Sequence, residues 1–232
     1  MPDTETNTGL LKGGIVLINK PYGWTSFDAV NKVRSILRKY YGIRKIKVGH
    51  AGTLDPLATG LVIICTGKMT KEIHHFQSLE KEYIATFELG KTTPSFDLET
   101  SVDKEYETTH ITRELIEKAL KKFTGDIDQV PPLYSAKFID GNRAYKHARR
   151  GDDLELPASR ISIKEINIEK FELPQLILRI SCSKGTYIRS LARDIGRELE
   201  SGAHLCGLTR TRIGKYELTK AISPDKFEEI LA

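Results

Sequence analysis

Lys47-Val48-Gly49-His50-Ala51-Gly52-Thr53-Leu54-Asp55-Pro56-Leu57-Ala58-Thr59-Gly60 runs directly into Leu61-Val62-Ile63-Ile64-Cys65. Five apolar residues in a row behind a turn-forming stretch read as a buried strand. The loop ahead of it holds three glycines, one His and one Asp. Glycines permit unusual dihedrals and let a ligand approach the backbone, and a lone Asp on such a loop can be held in one direction. On spacing alone two readings stand level. Asp55 before Pro56 initiates a turn, or its carboxylate is a nucleophile or base.

Working outward, Gly14 to Asn19 reads as a buried strand ended by Lys20-Pro21-Tyr22-Gly23-Trp24, since Pro and Gly break a ladder and make a turn. A helix follows, capped by Ser26 or Thr25, with Phe27, Val30, Val33 and Leu37 on its inner face. Thr70 to Leu79 is a short helix carrying His74 and His75, and Glu82 to Leu89 alternates as a half-buried strand does. After a loop from Thr92 to Val102, Thr112 caps a helix through Lys122 with Leu115, Ile116, Ala119 and Leu120 inward. The prolines of Gln129 to Ser135 hold that segment extended, and Asn142 to Arg150 is basic at helical spacing. Ile161, Ile163, Ile166 and Ile168 mark a strand with one irregularity, paired with Leu176 to Cys182. A helix from Thr186 to Glu200, a strand from His204 to Ile213 and a helix opened by Ser223-Pro224-Asp225 complete the chain. Strand pairs and helices without regular alternation predict an α+β fold, a mixed, largely antiparallel central sheet with flanking helices. The pattern prescribes no strand order.

At 232 residues, 39% hydrophobic, the chain can bury a substantial core. Residues 1–9 read as a flexible tail and 10–232 as a single catalytic domain. The formal charge of +5 suits a polyanionic partner without requiring one. Cys65, Cys182 and Cys206 are odd in number and dispersed, which suggests buried thiols and neither a disulfide framework nor a thiolate metal site. The start lacks a basic, apolar leader, and the longest apolar run falls far short of a membrane span. A soluble, cytoplasmic protein is expected.

The segment His50 to Gly60 closely resembles the signature of the TruB family of tRNA pseudouridine synthases. Four further segments resemble that family in the same order: Leu17-Ile18-Asn19-Lys20-Pro21, Lys81-Glu82-Tyr83, Val130-Pro131-Pro132-Leu133-Tyr134-Ser135-Ala136, and Ser183-Lys184-Gly185-Thr186-Tyr187-Ile188-Arg189-Ser190-Leu191. The resemblance implies the pseudouridine synthase fold and a cofactor-free, metal-free isomerisation of a uridine in the tRNA T-loop. Asp55 is then the catalytic carboxylate, attacking either C6 of the base or C1′ of the ribose. Tyr83 matches the tyrosine that stacks on the target base, and Arg189 matches the arginine paired with the aspartate, whose opposite charge favours a carboxylate. His50 matches the histidine that fills the gap left by extruded bases. Lys20 corresponds to a lysine beside the active site, Leu208 to an apolar residue lining the uracil pocket, and Asp97 to a contact with extruded nucleotides. Tyr187 falls in the last motif as an RNA contact.

Extruding a stacked nucleotide costs a few kcal/mol, so RNA must be gripped. Arg143, Lys146, Arg149 and Arg150 form one basic cluster and Arg210, Arg212 and Lys215 another, both suited to phosphates. The sixteen residues after Tyr216 are too few for the C-terminal PUA module of longer relatives, which points to reliance on the T-arm alone; a monomer is expected. An RNA chaperone that refolds tRNA without turnover is the alternative of a different class. Glycosidic hydrolysis would call for paired acids, and the loop holds one.

Overall fold

In the computed structural model the described residues are 4–135, 137–139, 142–152, 154 and 156–231, with side chains described except at 4–8, 138, 139, 142, 143 and 149. The chain order is α1 (Thr4–Gly13), β1 (Ile15–Lys20), α2 (Ser26–Tyr41), β2 (Val48–His50), β3 (Thr59–Thr66), α3 (Ile73–Ser78), β4 (Lys81–Leu89), α4 (Arg113–Lys122), β5 (Gly125–Gln129), α5 (Ala144–Arg150), β6 (Ser159–Glu172), β7 (Gln175–Cys182), α6 (Ile188–Glu198), β8 (Ala203–Ile213) and α7 (Pro224–Leu231). α1 covers most of the segment read from sequence as a tail. Two compact units result, residues 1–83 with 208–232, and residues 84–207, their boundaries falling inside β4 and β8.

The first unit is built on β3, which is buried along nearly its whole length. β1 runs antiparallel to it from Ile15 opposite Cys65 to Lys20 opposite Gly60. β2 pairs antiparallel with its far end, Val48 to Thr66 and His50 to Ile64, and β8 lies parallel at its near end, Thr209 to Thr59 and Arg210 to Gly60. Leu61, Ile63, Cys65, Ala51, Phe76 and Ile213 form the core of this layer. The helix α2 starts where Thr25 closes a reciprocal cap with Asp28 and stops at Gly42 in the left-handed conformation. Its buried stripe is Ser26, Ala29, Val30, Val33, Ile36 and Leu37.

Phe27 does not join that stripe; it is 58% exposed. At about 100° per residue it lies about 120° from the centre of the buried face, beyond the edge of the apolar stripe.

In the second unit β6 pairs antiparallel with β7 on one side and β5 on the other. The β6–β7 register shifts twice, between Ile163 and Glu165 and between Ile168 and Lys170, where the isoleucine spacing predicts one irregularity. Each shift moves the inward set by one residue, because side chains alternate faces with period two. The start of β5 carries Asp126 and Asp128 on exposed positions, so no apolar alternation announced it. α4 is capped by Thr112, whose hydroxyl accepts from the Leu115 amide at 3.3 Å. Antiparallel pairing thus predominates, with β3 and β8 parallel, as the α+β reading required. Cys65 and Cys182 are buried, whereas Cys206 is half-buried.

Leu37 is fully enclosed, so Leu37→Ala should lower unfolding free energy by about 2 to 5 kcal/mol, while Phe27→Ala should change it by less than about 1 kcal/mol. Urea titration of both variants checks the assignment of the inner face.

Candidate active site

The loop between β2 and β3 leaves β3 where its partner changes. Ladder pairing to β2 reaches Ile64, the Ala51 amide reaches the Ile63 carbonyl at 2.9 Å, and pairing with β8 begins at Gly60. Between these points the Leu61 carbonyl accepts from Arg210 Nε at 2.7 Å. Arg210 is 1% exposed, and its two terminal nitrogens donate to Thr53 O at 3.3 Å and Gly52 O at 3.2 Å.

Three more carbonyls of the loop are held as well. Ser26 Oγ accepts from the Leu54 amide at 2.8 Å and donates to the Leu54 carbonyl at 3.2 Å. The Asp55 carbonyl closes a turn with the Ala58 amide at 3.1 Å, and Pro56 O accepts from Gly23 N at 2.9 Å. The five successive carbonyls from Gly52 to Pro56 are therefore all hydrogen-bonded. Both readings of Asp55-Pro56 are compatible with this geometry, since the turn exists and aims a half-buried carboxylate from a fixed backbone.

Lys20 lies on the other side of Gly60, as its partner across the β1–β3 ladder, and is fully buried. Its Nζ donates to Trp24 O at 2.6 Å, Pro21 O at 3.1 Å and Pro56 O at 3.4 Å. Burial pushes the ammonium down from 10.5 to about 8; the Asp55 carboxylate opposes this, the Arg210 charge adds to it, and Asp28 opposes it further. Gly60 itself sits at φ +106°, and a Cβ there would meet the Arg210 carbonyl oxygen at 2.4 Å and amide nitrogen at 2.7 Å. Only glycine fits.

His50 ends β2, and burial pushes its imidazole below the ordinary value, the Gly52 backbone opposing and the Arg210 charge adding. Its Nδ1 is enclosed with no hydrogen-bond partner among the described residues. Tyr83 is buried on β4, and Leu208 is half-buried on β8, its carbonyl 3.5 Å from Thr59 Oγ1.

The second unit brings together two other predicted residues. Arg189, on α6 and 5% exposed, lies 3.5 Å from Asp97 Oδ2 and donates to Tyr134 O at 3.0 Å. Asp97 Oδ1 accepts from Glu99 N at 2.9 Å. Phe96, at φ +63°, delivers Asp97 to this position, with its ring centroid 4.9 Å from the Arg193 guanidinium and its carbonyl bonded to Leu205 N. A phenylalanine in that region is strained and persists only where its surroundings over-determine it. Tyr187 is the N-cap of α6, exchanging two backbone bonds with the Gln129 amide at 2.8 and 3.1 Å. Val130 O accepts from Ser190 and Arg193. The mid-chain proline motif is thereby tied to the late helix.

Of the basic clusters, Arg150 is exposed at the end of α5 and Lys146 is exposed within it, while the side chains of Arg143 and Arg149 lie outside the described residues. In the second cluster Lys215 is exposed, but the two arginines on β8 are engaged within the protein. Arg210 is spent on buried carbonyls, and Arg212 pairs with Glu80 at 3.0 Å and Glu82 at 3.7 Å. Alternate spacing on a strand puts both on one face but does not say whether that face is wet. Ser26 was legible only as a possible cap; its use as the anchor of Leu54, 28 residues away, left no local signal. Among the described residues no group of three or more His, Cys, Asp and Glu could hold a metal ion.

A family model described as TruB family pseudouridylate synthase, N terminal domain, matches residues 38–188. The chain is 56% identical over 220 residues to the tRNA pseudouridine synthase B of Phocaeicola vulgatus, covering 95% of this chain and 94% of that one. It is 51% identical over 222 residues to the protein of the same name from Flavobacterium johnsoniae, covering 95% and 97%. Among solved structures, a chain of a Cbf5-Nop10-Gar1 complex superposes with a TM-score of 0.70 at 25% identity, over 95% of this chain and 54% of that one.

Arg210→Met leaves three buried acceptors without their donor, which should cost about 3 kcal/mol or more of stability in urea titration. A loss under about 1 kcal/mol would show that the guanidinium is dispensable. Lys20 supplies a pH test. Its folded value of about 8 lies below the unfolded 10.5, so between them the unfolded chain binds the extra proton and stability grows as pH rises. Wild type should gain on the order of 1 to 2 kcal/mol relative to Lys20→Met between pH 7 and 9.5. No relative gain would mean Lys20 is not held as described.

Proposed function

The chain belongs to the TruB family of pseudouridylate synthases, and on that basis we propose that it isomerises uridine to pseudouridine in the T-arm of tRNA, acting as a cytoplasmic monomer without a cofactor. The observation that carries this reading is the Asp55 turn, five consecutive carbonyls of which are tied down around one carboxylate. A nucleophile or base gains from being pre-positioned because orientation is set before the substrate arrives.

The reaction breaks the bond between ribose C1′ and uracil N1, turns the base, joins C1′ to C5, and removes the C5 proton while N1 gains one, directly or by exchange through solvent. Atoms balance within the nucleotide and no redox partner is consumed. Asp55 adds to C1′ or C6 and is released in the second half of the reaction. Tyr83 is assigned to the face of the base and to the C5 proton, and Arg189 to the charge of Asp55. His50 is assigned to the gap left by the extruded nucleotide. Leu208 is assigned to the wall of the uracil pocket, and Asp97, Tyr187, Arg149 and Arg150 to RNA. Asp97 would act on nucleotides through or beside its Arg189 partner.

Asp55→Asn should lower single-turnover pseudouridine formation on a tRNA transcript by on the order of a thousandfold or more, as loss of a nucleophile does, while tRNA binding persists. Unimpaired turnover in that variant would sink the assignment, and free uracil among the products would replace isomerisation by hydrolysis.

A further inference from the structure

The helix α2 has two polar flanks with opposite electrostatic histories. On one, Lys32 is paired with Glu228 and lies 4.0 Å from Asp225, both on α7, and Lys39 is felt by the same Glu228. On the other, Phe27, Asn31, Arg34 and Arg38 recur at spacings of four, three and four residues, which places them in one line along the helix. Arg34 donates to Val48 O at 3.1 Å and lies 5.8 Å from the Phe27 ring centroid. Arg38, Arg44, Lys45 and Lys47 are exposed and have no carboxylate partner among the described residues.

The imbalance extends along the chain. Between Asp28 and Asp55 stand seven Lys and Arg and not one Asp or Glu. Two large aromatic side chains lie just before this stretch, Tyr22 at 61% exposure and Phe27 at 58%. The turn that carries Tyr22 is bonded to the catalytic turn, Gly23 N to Pro56 O. A merely solvated helix face would need neither the bare aromatics nor the absence of counter-charge. Unpaired cations on the same line as an exposed aromatic ring are the pattern that binds a nucleic-acid strand, charge for phosphates and ring faces for bases.

We propose that this flank of α2, with Tyr22 and the segment from Arg44 to Lys47, is an RNA-binding track that leads to the Asp55 turn. Unpaired bases stack on Tyr22 and Phe27, and phosphates lie along Arg38, Arg44, Lys45 and Lys47. The proposal rests on the reading of the chain as an RNA-modifying enzyme and adds a surface that none of the family motifs contains. The committed partner is RNA, since the face offers a line of cations with stacking rings at one end.

The test is filter binding of an unmodified tRNA transcript to the full chain across a series of salt concentrations. The quadruple variant Arg38→Gln, Arg44→Gln, Lys45→Gln, Lys47→Gln should lower the slope of log affinity against log salt by about 3, four contacts at 0.7 to 0.9 each. The double variant Tyr22→Ala, Phe27→Ala should bind about thirtyfold more weakly or worse with the slope unchanged, as loss of stacking does. All six side chains are exposed, and thermal melts confirm that the variants fold. Wild-type slope in the quadruple variant overturns the track and points to another occupant, such as an acidic protein. Wild-type affinity in the double variant overturns the stacking role. The binding assay needs no turnover, so a wild-type chain that binds tRNA yet forms no pseudouridine would defeat the proposed function and leave this surface standing.

Discussion

Along β3 the hydrogen-bonding partner changes from β2 to β8, and the carbonyl stranded between them is taken by the guanidinium of Arg210. Removing a full positive charge from water is costly unless polar groups replace the lost hydration. Here the replacement is a set of carbonyl dipoles, from Leu61 of the strand and from Gly52 and Thr53 of the loop. The strand change creates the vacancy, the arginine fills it, and the loop is fastened because its carbonyls complete the arginine's shell. Lys20 repeats the arrangement across Gly60 with Pro21, Trp24 and Pro56. Two buried cations thus hold the residues on either side of Asp55.

What was legible in the sequence is what local chemistry dictates. The caps at Thr25 and Thr112, the β4 alternation, the buried β3 run and the Ser223 start of α7 all depend on residues within a few positions of one another. The family resemblance singled out Asp55, Arg189 and Asp97 and paired Arg189 with Asp55; the ion pair of Arg189 with Asp97 is a contact that neither it nor spacing announced. The misreadings have one physical origin. Phe27 and Arg210 were sorted by residue type, apolar inward and cationic outward, whereas their places follow from helix phase and from the change of strand partner. β5 escaped because an edge of polar residues has no hydrophobic period to read.

The second unit solves a similar problem by different means. Its extended proline motif has few amides to offer a sheet, so α6 supplies the missing bonds from Ser190, Arg193 and Arg189 to carbonyls of Val130 and Tyr134. The strain accepted at Phe96 is offset by the Arg193 contact and the Leu205 bond. In both units the family motifs are joined to each other through backbone carbonyls more than through side-chain pairs. Such joints tolerate variation in neighbouring side chains while keeping the backbone in place.

Gly60 has a wider meaning in this light. With Lys20 on one side, Arg210 on the other and no room for a methyl group, it leaves the Asp55 turn little compliance. A tool that cannot yield obliges the workpiece to do so. For the tRNA loop proposed as substrate, the mechanical work of the encounter then falls on the nucleic acid, and its readiness to deform counts beside the bases it carries.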